Sequence, residues 1–384
     1  MHALARLLRQ AGLIALISFM LLLLVDQALR RLLPAPAAWA PLDPAATAPD
    51  REKADAVRDQ PWVAEYWREH AASKDTAWQS YVYWRRTPYA GHLIHIDAHG
   101  FRVTPPPAQP AQRTLWLFGG SVVWGTGNRD QGTLAAALQQ LYAERAPDLG
   151  VRVLNFGESG YVSRQSLTAF QLALACPEPP ADLAVFLDGA NDVYSVLQSG
   201  VAGLPQNEAN RVLEFNSARQ LRQQLKAWAL RLEGIARLVA APAPTLDAPA
   251  VAALADSTIA AYRSVVLQAR ALGQAYDVPV IHLWQPTVFD RPRAIGDEAR
   301  IIAAAPALHG ELQRAARRAL HIDGVIDPID ALAVDEALYF DFVHLSERGQ
   351  QLLAERLYAL SLPLLQARAP RAPGVERCRD RPLG

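Results

Sequence analysis

Short apolar segments alternate with helical segments over most of the chain after residue 113. We expect strands at 114–118, 151–154, 183–187, 278–283 and 324–326. Apolar spacing typical of helices falls between and after them, at 134–144, 164–175, 210–240, 250–276, 308–320 and 346–360. Strands that alternate with helices form βαβ units with right-handed crossovers, so this pattern predicts an α/β fold with a mostly parallel sheet.

The composition excludes several classes of protein. The chain has 384 residues, of which 51% are hydrophobic, so it can bury a large core and is not a disordered protein. Its formal net charge is zero, which argues against nucleic-acid binding. Two cysteines, Cys176 and Cys378, are too few for a disulfide-rich scaffold or a cysteine-based zinc site, and whether they pair is left open. We expect no cofactor and no metal.

The N-terminus carries a targeting signal. Residues 11–25 read AGLIALISFMLLLLV, and with its flanks the apolar segment approaches the roughly 20 residues that span a bilayer. A cleaved signal peptide is the alternative, but the small-x-small sequence Ala38-Trp-Ala40 lies well beyond the apolar run. We therefore favour an uncleaved single-pass membrane anchor, with the remaining chain outside the cytoplasm.

The chain divides into five segments by composition. We predict a membrane anchor at 1–33, a Pro/Ala-rich linker at 34–50, an N-terminal extension at 51–110, a main domain at 111–366 and a flexible tail at 367–384. Within the extension, 51–80 is expected to be helical, and 81–84 is expected to form a hairpin with 92–103. Its tryptophans at positions 62, 67, 78 and 84 are expected to pack against the main domain, with binding of sugar rings as the alternative.

Four short blocks follow the predicted strands or precede a helix. They are Phe118-Gly-Gly-Ser121, Asn155-Phe-Gly-Glu-Ser-Gly160, Asp188-Gly-Ala-Asn191-Asp192 and Asp341-Phe-Val-His344. In an open parallel sheet, reactive groups collect beyond the carboxyl ends of the strands. The blocks therefore predict one site at one edge of the sheet.

The first and last blocks contain the residues of a serine nucleophile site. A serine hydroxyl needs a base to take its proton and a third group to hold that base. Of the nine histidines, only His344 has a carboxylate, Asp341, three residues before it. We predict that Ser121 is the nucleophile, His344 the base and Asp341 the residue that orients it.

The middle blocks contain donors for an oxyanion. A tetrahedral acyl intermediate needs N–H groups aimed at its negative oxygen. The Ser121 backbone N–H, a glycine N–H of the second block and the Asn191 side-chain amide are suitable, because none of them carries a charge. Asp192 is expected to cap the helix that follows it.

Residues 112–365 resemble the SGNH hydrolases, the GDSL-type esterase/lipase family named for its Ser, Gly, Asn and His blocks. The resemblance implies a flavodoxin-like three-layer α/β/α fold, catalytic Ser121, Asp341 and His344, and an oxyanion hole of Ser121, Gly160 and Asn191. Gly160 matches the family spacing better than Gly157. The segment 97–102 resembles one in membrane-anchored bacterial members. Gly120 departs from the family, which usually has Asp before the serine.

The predicted function is an esterase that acts outside the cytoplasm, through an acyl-Ser121 intermediate, on a cell-envelope or exported carbohydrate or lipid ester. An O-acetyltransferase that modifies an exported polysaccharide is the first alternative, and a non-catalytic envelope scaffold is the second. No protein partner is indicated. Specificity is expected to lie in 193–250 and 285–307, where no motif is present.

Other motifs have plainer interpretations. Ser159 nearly matches the Gly-x-Ser-x-Gly pattern, but position 161 is Tyr. His92, His95, Asp97 and His99 suggest a metal site without a closing ligand, so we interpret them as solvated or hydrogen-bonded residues.

Overall fold

The computed structural model describes residues 2–32, 51–107, 109–175, 181–217, 232 and 246–370. The predicted linker at 34–50, the sequence at 38–40, both cysteines and the tail beyond residue 370 lie outside these residues. The chain separates into two compact units, one of Met1–Pro41 with Asn207–Thr245 and one of Leu42–Gln206 with Leu246–Gly384. The predicted boundaries of the five segments stay predictions.

The α-helices and strands are numbered along the chain. The helices are α1 His2–Leu32, α2 Val63–Ala72, α3 Ser121–Trp124, α4 Leu134–Arg145, α5 Ser163–Leu174, α6 Ala190–Ser199, α7 Glu208–Ser217, α8 Ala248–Ala275, α9 Glu298–Ala304, α10 Ala307–Ala319 and α11 Glu347–Gln366. The strands are β1 Thr76–Gln79, β2 Tyr83–Arg86, β3 Tyr89–Ala90, β4 His95–Ile96, β5 Arg113–Gly119, β6 Val151–Asn155, β7 Leu183–Asp188, β8 Val280–Trp284 and β9 Val325–Ile326.

Helix α1 of the first unit is long and apolar enough to cross a membrane. Its Gln10–Leu32 segment has 23 residues, a mean hydropathy of 2.2 and 6% of its apolar window buried. Helix α8 of the second unit also passes the length and composition test, with a lower mean hydropathy of 1.3 and 39% buried. Because Val265 and Ala269 of α8 lie in a hydrophobic core, its apolar character is explained by packing. The N-terminal helix is therefore a candidate anchor or signal sequence.

The second unit is built around a parallel sheet in the order β6-β5-β7-β8-β9. Every neighbouring pair in this sheet is parallel. Numbered within the sheet, the order is 2-1-3-4-5, which is the flavodoxin-like arrangement of a doubly wound fold. The predicted fold class is confirmed, and each predicted strand of the sheet is present within two residues of its expected start and end.

Alternate residues of the central strand β5 face opposite layers of helices. Leu115 and Leu117 lie in a core with residues of α4 and α11. Trp116 and Phe118 lie in a second core with residues of α5 and α8. Side chains of a strand alternate between the two faces of the sheet, so a strand covered on both faces is apolar throughout. This explains why the strand reads as one apolar run.

The hairpin predicted in the extension is wrong. Strand β1 pairs antiparallel with β2, and β3 pairs antiparallel with β4, so two small hairpins replace the expected pairing of 81–84 with 92–103. The turn between β1 and β2 holds Tyr81 at φ 69° and is followed by Tyr83 at φ 74°. This turn contains no glycine or proline, so the sequence has no turn signal there. Its aromatic residues are typical of a strand, which explains the strand predicted in its place.

The helix predicted across 51–80 is also shorter than expected. Helix α2 covers Val63–Ala72, and a short 3-10 turn covers Arg51–Lys53. Trp67 of α2 is buried against Phe340, with ring centroids 5.6 Å apart, as the packing hypothesis requires. Trp78 is 70% exposed on β1, so the packing prediction is wrong for this tryptophan.

Candidate active site

Three of the four sequence blocks meet because their strands are neighbours in the sheet. Strands β6, β5 and β7 are adjacent and parallel, so their carboxyl ends lie at one edge. Ser121 begins α3 two residues after β5 ends, and Asn191 lies in the first turn of α6, just after β7. Parallel strands joined by helices bring such loops together whatever their separation in sequence.

Ser121, His344 and Asp341 form a continuous chain of hydrogen bonds. His344 Nε2 lies 2.7 Å from Ser121 Oγ, and His344 Nδ1 lies 2.7 Å from Asp341 Oδ2. The other oxygen of Asp341, Oδ1, accepts the backbone N–H groups of Val343 at 3.0 Å and His344 at 2.8 Å. The spacing of three residues thus lets one carboxylate hold both the backbone and the imidazole of the histidine.

Asp341 is fully buried, and its environment favours the charged carboxylate. Burial alone would raise the pKa of Asp341. The charge of His344, its hydrogen bond to the carboxylate and the two backbone N–H donors lower the pKa by more than burial raises it, so the net pKa lies below the usual value. The carboxylate therefore stays ionised at neutral pH and can stabilise a protonated imidazole.

The amide of Asn191 is fixed by hydrogen bonds on both sides. Its Nδ2 donates to the Tyr161 carbonyl oxygen at 2.7 Å, and its Oδ1 accepts from Gln206 Nε2 at 3.0 Å. An amide nitrogen has two hydrogens, so one N–H of Asn191 remains beyond the bond to Tyr161. Asn191 and Ser121 border the same cavity.

Of the two glycines in the second block, Gly160 borders this cavity. It has φ +80°, a left-handed conformation that favours glycine, and an added Cβ would lie 3.3 Å from Trp84. Gly157 packs against the turn after Ser121, where an added Cβ would lie 2.6 Å from the Trp124 backbone nitrogen. The geometry therefore leaves Gly160 as the glycine that a ligand can reach.

The cavity has a volume of about 180 Å³ and is bordered by Ser121, Gly160, Asn191 and His344, with Asp341 behind the histidine. Tyr194 and Gln206 also border it, from the first of the two predicted specificity segments. Within the described chain, no residue of the second segment, 285–307, does so. Sequence reasoning missed the largest group on the wall, which comes from the extension and comprises Arg51, His70, Lys74 and Arg86.

Asp192 contacts the start of its own helix, as predicted, and the start of a second helix. It lies inside the first turn of α6, and its carboxylate accepts the backbone N–H of Ser163 at 3.0 Å, at the start of α5. The carboxylate also interacts with the backbone N–H groups of Gly189 and Asp192 at the start of its own helix, so it serves the first turns of both α5 and α6. Burial raises the pKa of Asp192 to about 6, and burial together with the charge of Asp192 raises the pKa of Asp188 well above its usual value. Neither carboxylate borders the cavity.

The histidine-rich segment of the extension is held by hydrogen bonds. His95 Nδ1 lies 2.7 Å from Asp130 Oδ2, and Asp97 Oδ1 accepts the backbone N–H groups of His99 and Phe101 at 2.9 Å each. These partners come from the protein itself, which agrees with the interpretation of the segment as structural.

Another cluster has the composition of a metal site. One ligand atom from each of Glu65, Glu69 and His92 lies within 4.8 Å of the others. The Glu69 carboxylate accepts backbone N–H groups from His92 at 2.7 Å and from Leu93 and Ile94 at 3.0 Å each. Glu69 therefore shapes the loop between β3 and β4, and this role accounts for its position.

The sequence matches the model of the GDSL-like lipase/acylhydrolase family over residues 117–352. The match covers more than half of the chain and includes all four blocks. The chain therefore belongs to the GDSL-like lipase/acylhydrolase family, and it is a serine esterase of the SGNH type.

Solved structures of esterases are similar to this chain at low identity. A carbohydrate acetylesterase family member from Sinorhizobium meliloti is 17% identical, covering 66% of this chain and 99% of its own, with a TM-score of 0.33. The acetylxylan esterase Axe2 from Geobacillus stearothermophilus is 16% identical, covering 68% and 98%, with a TM-score of 0.33. The psychrotrophic esterase EstA from Pseudoalteromonas sp. is 12% identical, covering 66% and 99%, with a TM-score of 0.36. No curated protein sequence matches the chain.

Proposed function

We propose that this protein hydrolyses esters through an acyl-Ser121 intermediate. The observation that carries the proposal is the position of His344, whose two ring nitrogens lie 2.7 Å from Ser121 Oγ and 2.7 Å from Asp341 Oδ2. In this arrangement the Asp341 carboxylate accepts the Nδ1 hydrogen, which leaves Nε2 free to take the serine proton. A base oriented in this way is what a serine hydroxyl needs to become a nucleophile.

The reaction then follows in two steps. Ser121 Oγ attacks the ester carbonyl while its proton moves to His344 Nε2, and the same proton passes to the departing alcohol. Water next attacks the acyl-Ser121 carbonyl while His344 Nε2 takes a proton from the water; the bond to Ser121 Oγ then breaks, Oγ recovers that proton from His344, and the free acid leaves. In both steps the negative oxygen is stabilised by the backbone N–H groups of Ser121 and Gly160 and by the remaining N–H of Asn191.

We propose further that α1 anchors the protein in the bacterial inner membrane and that the second unit acts outside the cytoplasm. The support is the 23-residue apolar segment of α1, with its mean hydropathy of 2.2. An enzyme placed there meets esters of the cell envelope and of exported carbohydrates or lipids, and these are the substrates that we propose. Protease accessibility of the second unit in intact spheroplasts tests this orientation.

A fluorophosphonate probe is expected to label Ser121, because the probe reacts with a serine hydroxyl activated by a neighbouring base. Mass mapping of the labelled full-length protein identifies the site. Ser121→Ala should abolish labelling, whereas Ser257→Ala on the exposed surface of α8 should label like the wild type. A label on Ser159, the other serine of the cavity, or no label at all would contradict the assignment.

The product distinguishes the hydrolase from the O-acetyltransferase hypothesis. Hydrolysis releases one free acid for each ester cleaved, and added sugar leaves this ratio unchanged. Acylation of an added oligosaccharide at the expense of free acid would instead favour the transferase.

Gly120→Ala is expected to lower kcat/KM for ester hydrolysis by roughly 10²-fold, the size of losing one oxyanion donor. A Cβ at position 120 would lie 2.3 Å from Asn191 Nδ2, so the amide would have to leave the position that we propose for an oxyanion donor.

A double-mutant cycle checks this cause. Asn191→Ala alone should cost a similar factor, and Gly120→Ala combined with Asn191→Ala should cost no more than Asn191→Ala, since the clashing amide is gone. If the two losses multiply, Gly120 acts through another contact.

A further inference from the structure

The wall of the cavity is strongly biased towards positive charge. Arg51, Lys74 and Arg86 border it together with His70 and the proposed site residues. Within the described part of the chain, no aspartate or glutamate borders it. All three cations come from the extension, and none of them takes part in the proposed acyl-transfer steps.

Arg86 is a rigid part of this wall. It is 6% exposed, its guanidinium lies 4.1 Å above the Trp124 ring, and its Nη1 donates to the Ser73 carbonyl oxygen at 2.8 Å. Its Nη2 donates to Ser159 Oγ at 3.2 Å, and Ser159 itself borders the cavity. A guanidinium held flat on an aromatic ring loses little further entropy when it binds an anion.

A buried carboxylate, Glu158, interacts with Arg86 and with a second arginine. Glu158 is fully buried and lies 3.8 Å from Arg86 Nε, while it also receives the Arg86 backbone N–H at 2.9 Å. Arg85, 5% exposed, acts electrostatically on the same carboxylate. One buried carboxylate therefore interacts with two buried guanidinium groups, so Glu158 offsets only part of the positive charge of this pair of arginines.

Two further cations complete the wall. The Arg51 guanidinium lies 3.7 Å from the centre of the Trp67 ring, which leaves the N–H groups at its edge able to donate. Lys74 is exposed and borders the same cavity. An arginine with a fixed plane and a flexible lysine are both common partners of carboxylates and phosphates.

His70 lies among these charges without a hydrogen-bond partner. It is 5% exposed, and neither ring nitrogen is bonded to another group among the described residues. Burial, followed by the positive charges of Arg86, Arg51 and Lys74, lowers the pKa of His70 well below its usual value. It is therefore neutral, and its two ring nitrogens are polar atoms of the cavity wall that no described residue binds.

We propose that the esters this enzyme prefers carry an anionic group, a carboxylate or a phosphate, which Arg51, Lys74 and Arg86 bind while Ser121 attacks the ester carbonyl. This inference rests on the proposed function of Ser121. Ser121 and the three cations border one cavity of about 180 Å³, so an ester group and an adjacent anion can occupy it together. The charge then selects the substrate, and the residues around Ser121 perform the reaction.

Matched pairs of esters test the proposal with the full-length protein in detergent. One pair has the charge on the acyl side, mono-para-nitrophenyl succinate against its methyl ester. The other pair has it on the alcohol side, meta-acetoxybenzoate against its methyl ester. We expect kcat/KM for the charged member of one pair to exceed that of its neutral partner by roughly 10-fold, the size of one or two charge-assisted hydrogen bonds. The pair that shows the preference identifies the side of the ester that carries the anion.

Variants that remove one positive charge each show which residues cause the preference for the charged ester. Arg51→Gln and Lys74→Gln should each lower the ratio of charged to neutral kcat/KM several-fold. Lys53→Gln is the matched control, because Lys53 is exposed in the same short turn as Arg51 but does not border the cavity, and its ratio should equal that of the wild type. If Lys53→Gln lowers the ratio of charged to neutral kcat/KM by the same factor, the preference comes from the general surface charge and the proposal is overturned.

The remaining outcomes separate this inference from the proposed function. Hydrolysis of both members of both pairs without preference overturns the anion site and leaves the esterase proposal standing. Absence of both hydrolysis and fluorophosphonate labelling overturns the two together. If the fluorophosphonate labels Ser121 but neither pair of esters is hydrolysed, the anion site is tested by measuring how far glucuronate and glucuronamide slow the labelling of Ser121. Protection by glucuronate and not by glucuronamide supports the anion site, and equal or no protection by the two overturns it.

Discussion

We expect kcat to fall by the same factor, roughly 10⁶-fold, in Ser121→Ala, in His344→Ala and in the variant that carries both substitutions. The loss in the double variant should therefore not be the product of the two single losses. Residues that act as one unit show this behaviour, because removing either one disables the other. Here the unit is visible as a single hydrogen bond of 2.7 Å between Ser121 Oγ and His344 Nε2. Single-turnover and steady-state rates on an activated ester measure the three losses.

The control for this comparison is the stability of each variant, measured by thermal unfolding. The His344 ring stacks on Phe340 with centroids 5.8 Å apart, so His344→Ala also removes packing, and its thermal unfolding must be recorded beside its activity. Ser257→Ala provides the matched serine substitution outside the cavity. A double variant much slower than either single variant would mean that Ser121 and His344 act independently, which contradicts the proposed mechanism.

Asp341→Asn is expected to lower kcat by roughly 10⁴-fold with little change in the fold. Asp341 Oδ1 receives two backbone N–H groups, at 3.0 and 2.8 Å, so the oxygen of an introduced amide would remain on that side. The new NH₂ group would then face His344 Nδ1 and force that nitrogen to accept a hydrogen bond. The imidazole would carry its hydrogen on Nε2, where it cannot take the proton of Ser121.

Asp182→Asn is the matched control for this substitution. Asp182 is also buried, at 3% exposure, and accepts a backbone N–H from Thr114 at 2.8 Å, but it does not border the cavity. Its kcat should stay close to that of the wild type. If Asp341→Asn retains activity within about 10-fold, the carboxylate does not set the tautomer of His344, and its role is limited to holding the backbone.

The fold was predictable because its signals are local. Each strand of the parallel sheet is a short apolar run, and strands separated by helices can pair in only a few ways. The pairing of Asp341 with His344 was predictable for the same reason, since three residues at the entrance to a helix are within reach of each other. The β1–β2 hairpin was not predictable, because its turn at Tyr81 has a left-handed conformation without glycine.

The roles of individual charged residues depended on packing. Asp192 was expected to cap its own helix, and the fold adds a second contact, because its carboxylate also accepts the backbone N–H of Ser163 at 3.0 Å, at the start of α5. Choosing between Gly157 and Gly160 likewise needed the family resemblance, because both follow the same strand. The structure adds that only Gly160 borders the cavity.

The sequence alone determined the class of fold and the groups that could perform acyl transfer, because those properties depend on short-range periodicity and on residues a few positions apart. The tertiary structure decided what surrounds those groups. Arg51, Lys74 and Arg86 are far from Ser121 in the chain and belong to no motif, yet packing of the extension places them on the wall of its cavity. A charge acts through its distance in space, so the positive bias of the cavity wall exists only once the chain is folded.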